Sequence, residues 1–173
     1  MKKRILLGIF VLITFLLIAS NYEKDEEIKY PNDFNFTYKY GVNGKESIDT
    51  YNEILKYDSV EGILELEFKL SIEEKNQIYL KMSQLNFMQI HSDFPRLLKV
   101  DINPISVSEL IGEYQNEKNE VRWSTLNFNF TNFEDPTEGN VELKTIKEIG
   151  DFIEQIINER LKNMDLPDKR FYL

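Results

Sequence analysis

The chain has 173 residues, 30 acidic against 21 basic for a net charge of −9, and no cysteine. This length suits one domain around one core. The acidic balance repels nucleic acid and anionic lipid headgroups, and the missing cysteine rules out disulfide stapling, thiolate metal sites and thiol nucleophiles.

At the N-terminus, Lys2, Lys3 and Arg4 precede a continuous apolar stretch from Ile5 to Ala19. That order reads as an export signal, so residues 1–20 are expected to be a signal peptide or an N-terminal membrane anchor. As a helix, the apolar stretch would span roughly 22 Å at about 1.5 Å per residue, short of the ~30 Å hydrocarbon core unless residues up to Tyr22 join it. Ile18-Ala19-Ser20 looks like the run before a lipidated cysteine, but position 21 is Asn, so thioether lipidation is excluded. Cleavage after Ser20 would place Ile18 where a small residue is preferred, which leaves cleavage and retention both open. Membrane contact is expected only through residues 5–22, if the signal stays uncleaved. The basic end stays cytoplasmic and the acidic end crosses. Loss of the three basic residues leaves 18 basic against 30 acidic, a net charge of −12.

Residues 21–32, with Glu23 to Glu27 all charged and Pro31 near the end, read as an acidic disordered tether. Residues 33–173 read as a single α+β domain. Phe34, Phe36, Tyr38 and Tyr40 alternate with Asn35, Thr37 and Lys39, the period of a half-buried strand. Asn43-Gly44 is a hairpin signal leading to a second strand over Ser47 to Ile54. Leu64, Leu66, Phe68 and Leu70 alternate with Glu65, Glu67 and Lys69 as a third strand. Ser71 and Glu74 then form a capping box before a helix that carries Ile78, Met82 and Leu85 to about Asn86. Residues 87–104, interrupted by Pro95 and Pro104, read as a loop with at most a short strand near Leu97 to Val100. Ser106 to Gln115 and Glu120 to Phe128 read as a hairpin with a longer turn. Ile146, Ile149, Ile153, Ile156 or Ile157, and Leu161 place a long amphipathic helix over Val141 to Asn163, which Gly150 weakens by about 1 kcal/mol. Phe171, Tyr172 and Leu173 are expected to pack against the core. The order β-β-β-α-β-β-α predicts an antiparallel sheet of about five strands with two helices on one face.

Chemistry is sparse in this pattern. His91 is the sole histidine, with Asp93 two residues on, and reads as a structural histidine. Glu65 and Glu67 share a strand face about 6.6 Å apart, a spacing a glycosidase pair can use, though a solvated face explains it more simply. Glu134, Asp135 and Glu138 offer oxygen ligands for calcium in a stretch that Pro136 and Gly139 also explain as a turn. No cofactor motif is present. The row containing Tyr38 and Tyr40 reads first as core and second as a binding surface, with the Tyr end nearer a rim because buried hydroxyls need partners.

The strand "FNFTYKYGVNGKESIDTY", the helix "LSIEEKNQIYLKMSQLNF" with its I-Y-x-K-M pattern, and the closing "YL" resemble small exported or lipoprotein-like proteins of Gram-positive spore-forming bacteria. The likeness covers about half the chain, and this chain departs from those proteins in lacking the cysteine. The resemblance implies an envelope location and no particular activity, since the family has none assigned. The leading expectation is a non-enzymatic extracytoplasmic binding module for a protein or cell-envelope component. The alternatives are a carboxylate-dependent envelope hydrolase using Glu65, Glu67 or Asp93 with His91, and a calcium-dependent binding domain.

Overall fold

A computed structural model describes residues 29–91, 94, 105–124 and 141–172. The expected signal, most of the tether, the possible strand near residues 97–100, the calcium-ligand candidates Glu134, Asp135 and Glu138, and Asp93 lie outside the described residues.

Six strands form one antiparallel sheet: β1 (Asn35–Tyr40), β2 (Glu46–Asp49), β3 (Ile54–Ser59), β4 (Gly62–Glu67), β5 (Val107–Tyr114) and β6 (Glu117–Ser124). Their order across the sheet is β4-β3-β2-β1-β5-β6. Two helices, α1 (Ile72–Gln84) and α2 (Val141–Leu161), and a short 3-10 turn at Phe87–Gln89 complete the described elements. The architecture is α+β, with six strands instead of five. Four strands meander from β1 out to the β4 edge, and the chain then returns through α1 so that β5 pairs with the free side of β1.

The extra strand arises because the run Ser47 to Ile54 is broken. The Asp49 carboxylate accepts the N–H groups of Tyr51 (2.9 Å) and Asn52 (3.2 Å), closing an Asx turn, and Glu53 takes a left-handed φ of 57°. Ile54–Ser59 escapes an alternation-based reading because Tyr57, Asp58 and Ser59 are buried in succession. The β5–β6 turn is also tighter than expected: Gln115 and Asn116 both have positive φ, a two-residue primed hairpin. It starts β6 at Glu117, and the Asn116 N–H is held by Asp33 (2.8 Å).

Register puts the aromatic row on one face. Tyr38 stands level with Ile48 on one side and Leu110 on the other, and Leu110 is level with Val121. All four, with Phe36 and Leu55, are at most 1% exposed and face the helices. From α1, Ile78, Tyr79 and Met82 join this core, and from α2 Leu143, Ile146, Ile149, Ile153, Ile156 and Ile157 do so. Lys81 of α1 bonds to Glu148 of α2 across the pair. The opposite face carries Lys39, Glu109 and Arg122 as an ion-paired group, with Lys56 paired to Glu65.

The capping box is present, with the Ser71 N–H donating to Glu74 (2.6 Å) and the Glu74 N–H to Ser71 Oγ (3.1 Å). Ser71→Ala is expected to cost about 1 kcal/mol in urea unfolding, with the cost traced to α1 by faster amide exchange in its first turn.

One packing expectation is corrected. Phe171 is 84% exposed rather than docked. The tail is held instead through Lys169, Arg170 and Tyr172, whose polar groups bond to Glu46 and Asp58. Leu173 lies outside the described residues.

Candidate functional site

The site grows out of the β1 aromatic row. Tyr38 is sandwiched between Tyr40 (ring centroids 5.1 Å apart, planes at 13°) and Trp123 of β6 (5.9 Å, 17°). Helix α2 lies across this stack at Gly150, where an added Cβ would come within 2.7 Å of the Tyr38 hydroxyl and 3.0 Å of the Trp123 ring. Gly150 is therefore where the helix can approach the rings, and its presence in an otherwise strong helical stripe is a packing requirement. One turn further along α2, the Glu154 carboxylate accepts the Tyr38 hydroxyl proton at 2.7 Å.

Beside this bond opens a cleft of about 210 Å³, floored by Tyr38 and Trp123. Lys147, Asp151 and Glu154, spaced at helical intervals, form one wall, while Gly41, Ser106 and Ser108 form the other. Lys147 pairs with Asp151 along the helix. Behind Gly41 stands a second acid, Glu46, which is buried because it shares strand parity with Ile48 and so faces inward. Gly41 has a left-handed φ of 75°, which favours glycine, and a Cβ there would lie 2.5 Å from Glu46 Oε2 and push that carboxylate aside. Lys169 of the tail supplies the counter-charge to Glu46 at 2.8 Å.

Burial pushes Glu154 above the ordinary carboxylate value; the Tyr38 hydrogen bond and Lys169 oppose the shift, while Asp151 and Glu46 add to it. Glu46 is raised for the same first reason, with Lys169 opposing and Asp58 reinforcing. Burial also pushes the Tyr38 and Tyr40 phenols far up, helped by Glu154 for the first and by Glu46 and Glu154 for the second, so both stay neutral hydrogen-bonding groups. On the open face, Glu109 goes the other way. Burial alone would raise it, but Lys39 and Arg122, each at 2.7 Å, outweigh that and lower it.

These directions set a pH profile. A carboxyl raised in the folded state holds its proton there while the unfolded chain releases it above about 4.5, so Glu154 and Glu46 contribute stability below that pH that is lost as pH rises through the folded values. Glu109 contributes stability above about 4.5 that is lost as pH falls through its lowered value. Denaturant midpoints are expected to peak near the unfolded carboxyl value of about 4.5, and Glu154→Gln to flatten the decline above it. An unchanged slope in that variant would show that Glu154 titrates normally.

Of the residues singled out from sequence, Tyr38 and Tyr40 lie in the stack, 1% and 5% exposed, with the Tyr38 hydroxyl reaching the cleft. Glu65 and Glu67 lie on β4 at one edge of the sheet, Glu65 paired with Lys56 at 3.0 Å. His91 is exposed near the other edge, its Nδ1 at 2.6 Å from Glu142. Five strand spacings of about 4.8 Å put roughly 24 Å between β4 and β6. His91 and the Glu65–Glu67 pair are therefore not assembled into one site. Among the described residues no group of three metal-ligating side chains converges, and no helix is long and apolar enough to cross a membrane. Sequence reading missed Glu46, Lys147, Asp151 and Glu154. Two signals pointed to them: a glycine on the apolar stripe of α2 with a Glu four residues on, and a Glu two residues before Ile48 on the inward parity of β2.

Fold and site together define an antiparallel α+β domain with an acid-walled cleft between its second helix and its sheet. No family model matches this chain, and no curated protein matches it.

Proposed function

We propose that the protein is a non-enzymatic extracytoplasmic binding module that receives a cationic group of a protein or cell-envelope partner in the cleft beside Glu154. The observation that carries this reading is Glu154 itself, a desolvated carboxylate bonded to Tyr38 and bordering open space, with Asp151 one turn before it. An arriving ammonium or guanidinium would stabilise the ionised carboxylate in a low-dielectric setting, where such a pair is stronger than in water. A volume of about 210 Å³ suits a side-chain-sized group. The export reading of residues 1–20 supports work outside the cytoplasm, at the outer face of the membrane or in released form.

Trp123 is the chain's only tryptophan and floors the cleft, so its fluorescence reports on the site directly. Titration with cadaverine, a simple diamine, is expected to change that fluorescence in the wild type at least tenfold more readily than in Glu154→Gln. No change up to millimolar diamine, or the same change in the variant, would sink the reading. Intact mass of the protein recovered from cells would show whether residues 1–20 remain.

A further inference from the structure

The C-terminal tail occupies a place in the sheet that the strand order leaves vacant. β2 pairs only with residues 54–56 of β3, so β3 outruns it. Beyond that point the tail takes over: the Val60 N–H donates to the Asp168 carbonyl (2.9 Å), the Arg170 N–H donates to the Asp58 carbonyl (3.0 Å), and Ser59 stands opposite Lys169. Successive side chains of an extended chain point to opposite faces. Lys169 accordingly reaches Glu46 on the helix side (2.8 Å), while Arg170 reaches Asp58 on the open side (3.3 Å), where the Tyr172 hydroxyl also donates to Asp58. The Tyr172 oxygen in turn accepts from Lys45 (2.7 Å).

The burial on the two sides of this contact is unequal. Glu46 and Asp58 are each 5% exposed, whereas Lys169, Arg170 and Phe171 of the tail are exposed, as are residues 162–165 leading to it. The two buried acids need a cationic strand beside them, because an uncompensated buried carboxylate is costly. The tail that supplies the cations is attached by a single isolated bridge, side-chain hydrogen bonds and the half-buried Leu166 and Pro167, with no tail residue from Leu166 to Tyr172 fully buried and Phe171 left in solvent. Segments with few buried apolar contacts open first.

We propose that this slot beside β3 is a docking site for an extended segment of a partner protein carrying two adjacent basic residues and a tyrosine two positions after the second, with the chain's own tail as its intramolecular competitor. The partner strand adds to the sheet by main-chain pairing, and its two bases enter from the two faces as Lys169 and Arg170 do. A tail on a short linker acts at an effective concentration on the order of millimolar, so it keeps weak segments out and yields only to a better-fitting strand. This inference is independent of what enters the cleft beside Glu154.

The test uses the full chain with Ser59→Cys and Lys169→Cys. These residues form a non-hydrogen-bonded antiparallel pair, the spacing a cross-strand disulfide needs, and the chain has no other thiol. The probe is a fluorescent peptide of residues 166–173, LPDKRFYL, followed by anisotropy, with circular dichroism confirming that both redox states are folded. The reduced form is expected to bind at least tenfold more tightly than the oxidised form, and a peptide with Glu in place of its Lys and Arg is expected not to bind. Equal binding in both states, or none by the folded reduced form, overturns the proposal. In the wild type, native-state exchange at the Val60 and Arg170 amides is expected to be about 100-fold faster than in the β1–β5 ladder. Exchange in step with that ladder would show a tail that never leaves, which also overturns it. A concentration-dependent dimer that alone protects the Val60 amide would assign the slot to a second copy's tail and overturn the partner-protein assignment.

Discussion

Tyr38→Ala is expected to lower the unfolding free energy by about 3–5 kcal/mol, the usual cost of emptying a large buried aromatic site. Three contacts go at once: the stack on Tyr40, the stack on Trp123, and the hydroxyl donated to Glu154. Against a domain stability of about 5–15 kcal/mol, this is a loss of a third or more for most of that range. Tyr38→Phe separates the parts. It keeps the ring and loses only the hydrogen bond, so a loss of about 1–3 kcal/mol is expected. Urea unfolding followed by Trp123 fluorescence measures both. If the two variants cost the same, the hydroxyl and not the stack holds α2 to the sheet.

Gly150→Val is expected to destabilise by about 1–3 kcal/mol even though valine is the better helix former. Helix propensity alone predicts the opposite sign, a gain of a few tenths of a kcal/mol. The structure reverses it because the added carbon meets the Tyr38 hydroxyl and the rim of Trp123, and neither can retreat: Tyr38 is wedged between two rings and Trp123 is 6% exposed. A stabilised Gly150→Val domain in thermal unfolding would mean that α2 does not lie on the rings as described. The same variant reports on the cleft, since lifting α2 moves Glu154 away from Tyr38. Diamine binding should therefore weaken together with stability, whereas Ser71→Ala should leave it intact.

How much of this was legible in advance differs from element to element, for physical reasons. β1 is readable because alternation of Phe and Tyr with Asn, Thr and Lys has only one pleated solution with a dry face, and the structure buries Phe36, Tyr38 and Tyr40 on that face. α1 is readable from its capping box and α2 from its isoleucine spacing. β3 is not readable by period, because Asp58 and the tail bury its second face at one end. The primed turn at Gln115-Asn116 was placed too late because Asn116 begins the polar run "NEKN", whereas the left-handed pair starts one residue earlier.

The candidate site was less legible still. Carboxylates are so numerous in this chain that none is distinguished by type, and those on the clean strand alternation, Glu65 and Glu67, proved to lie on an exposed edge strand. Glu154 and Glu46 are set apart only by desolvation, a property of what packs around them and not of their neighbours in sequence. By itself the sequence determined the two helices, every strand but β3, the inward faces of β1 and α2, the absence of cysteine chemistry and the charge order of the N-terminus, since these follow from local periodicity and composition. Only the tertiary structure decided that Gly150 seats a helix on an aromatic stack, that Tyr38 meets Glu154 across a sequence separation of 116, and that the tail completes the sheet beside β3. Those contacts join segments far apart in the chain, and long-range packing sets their energies.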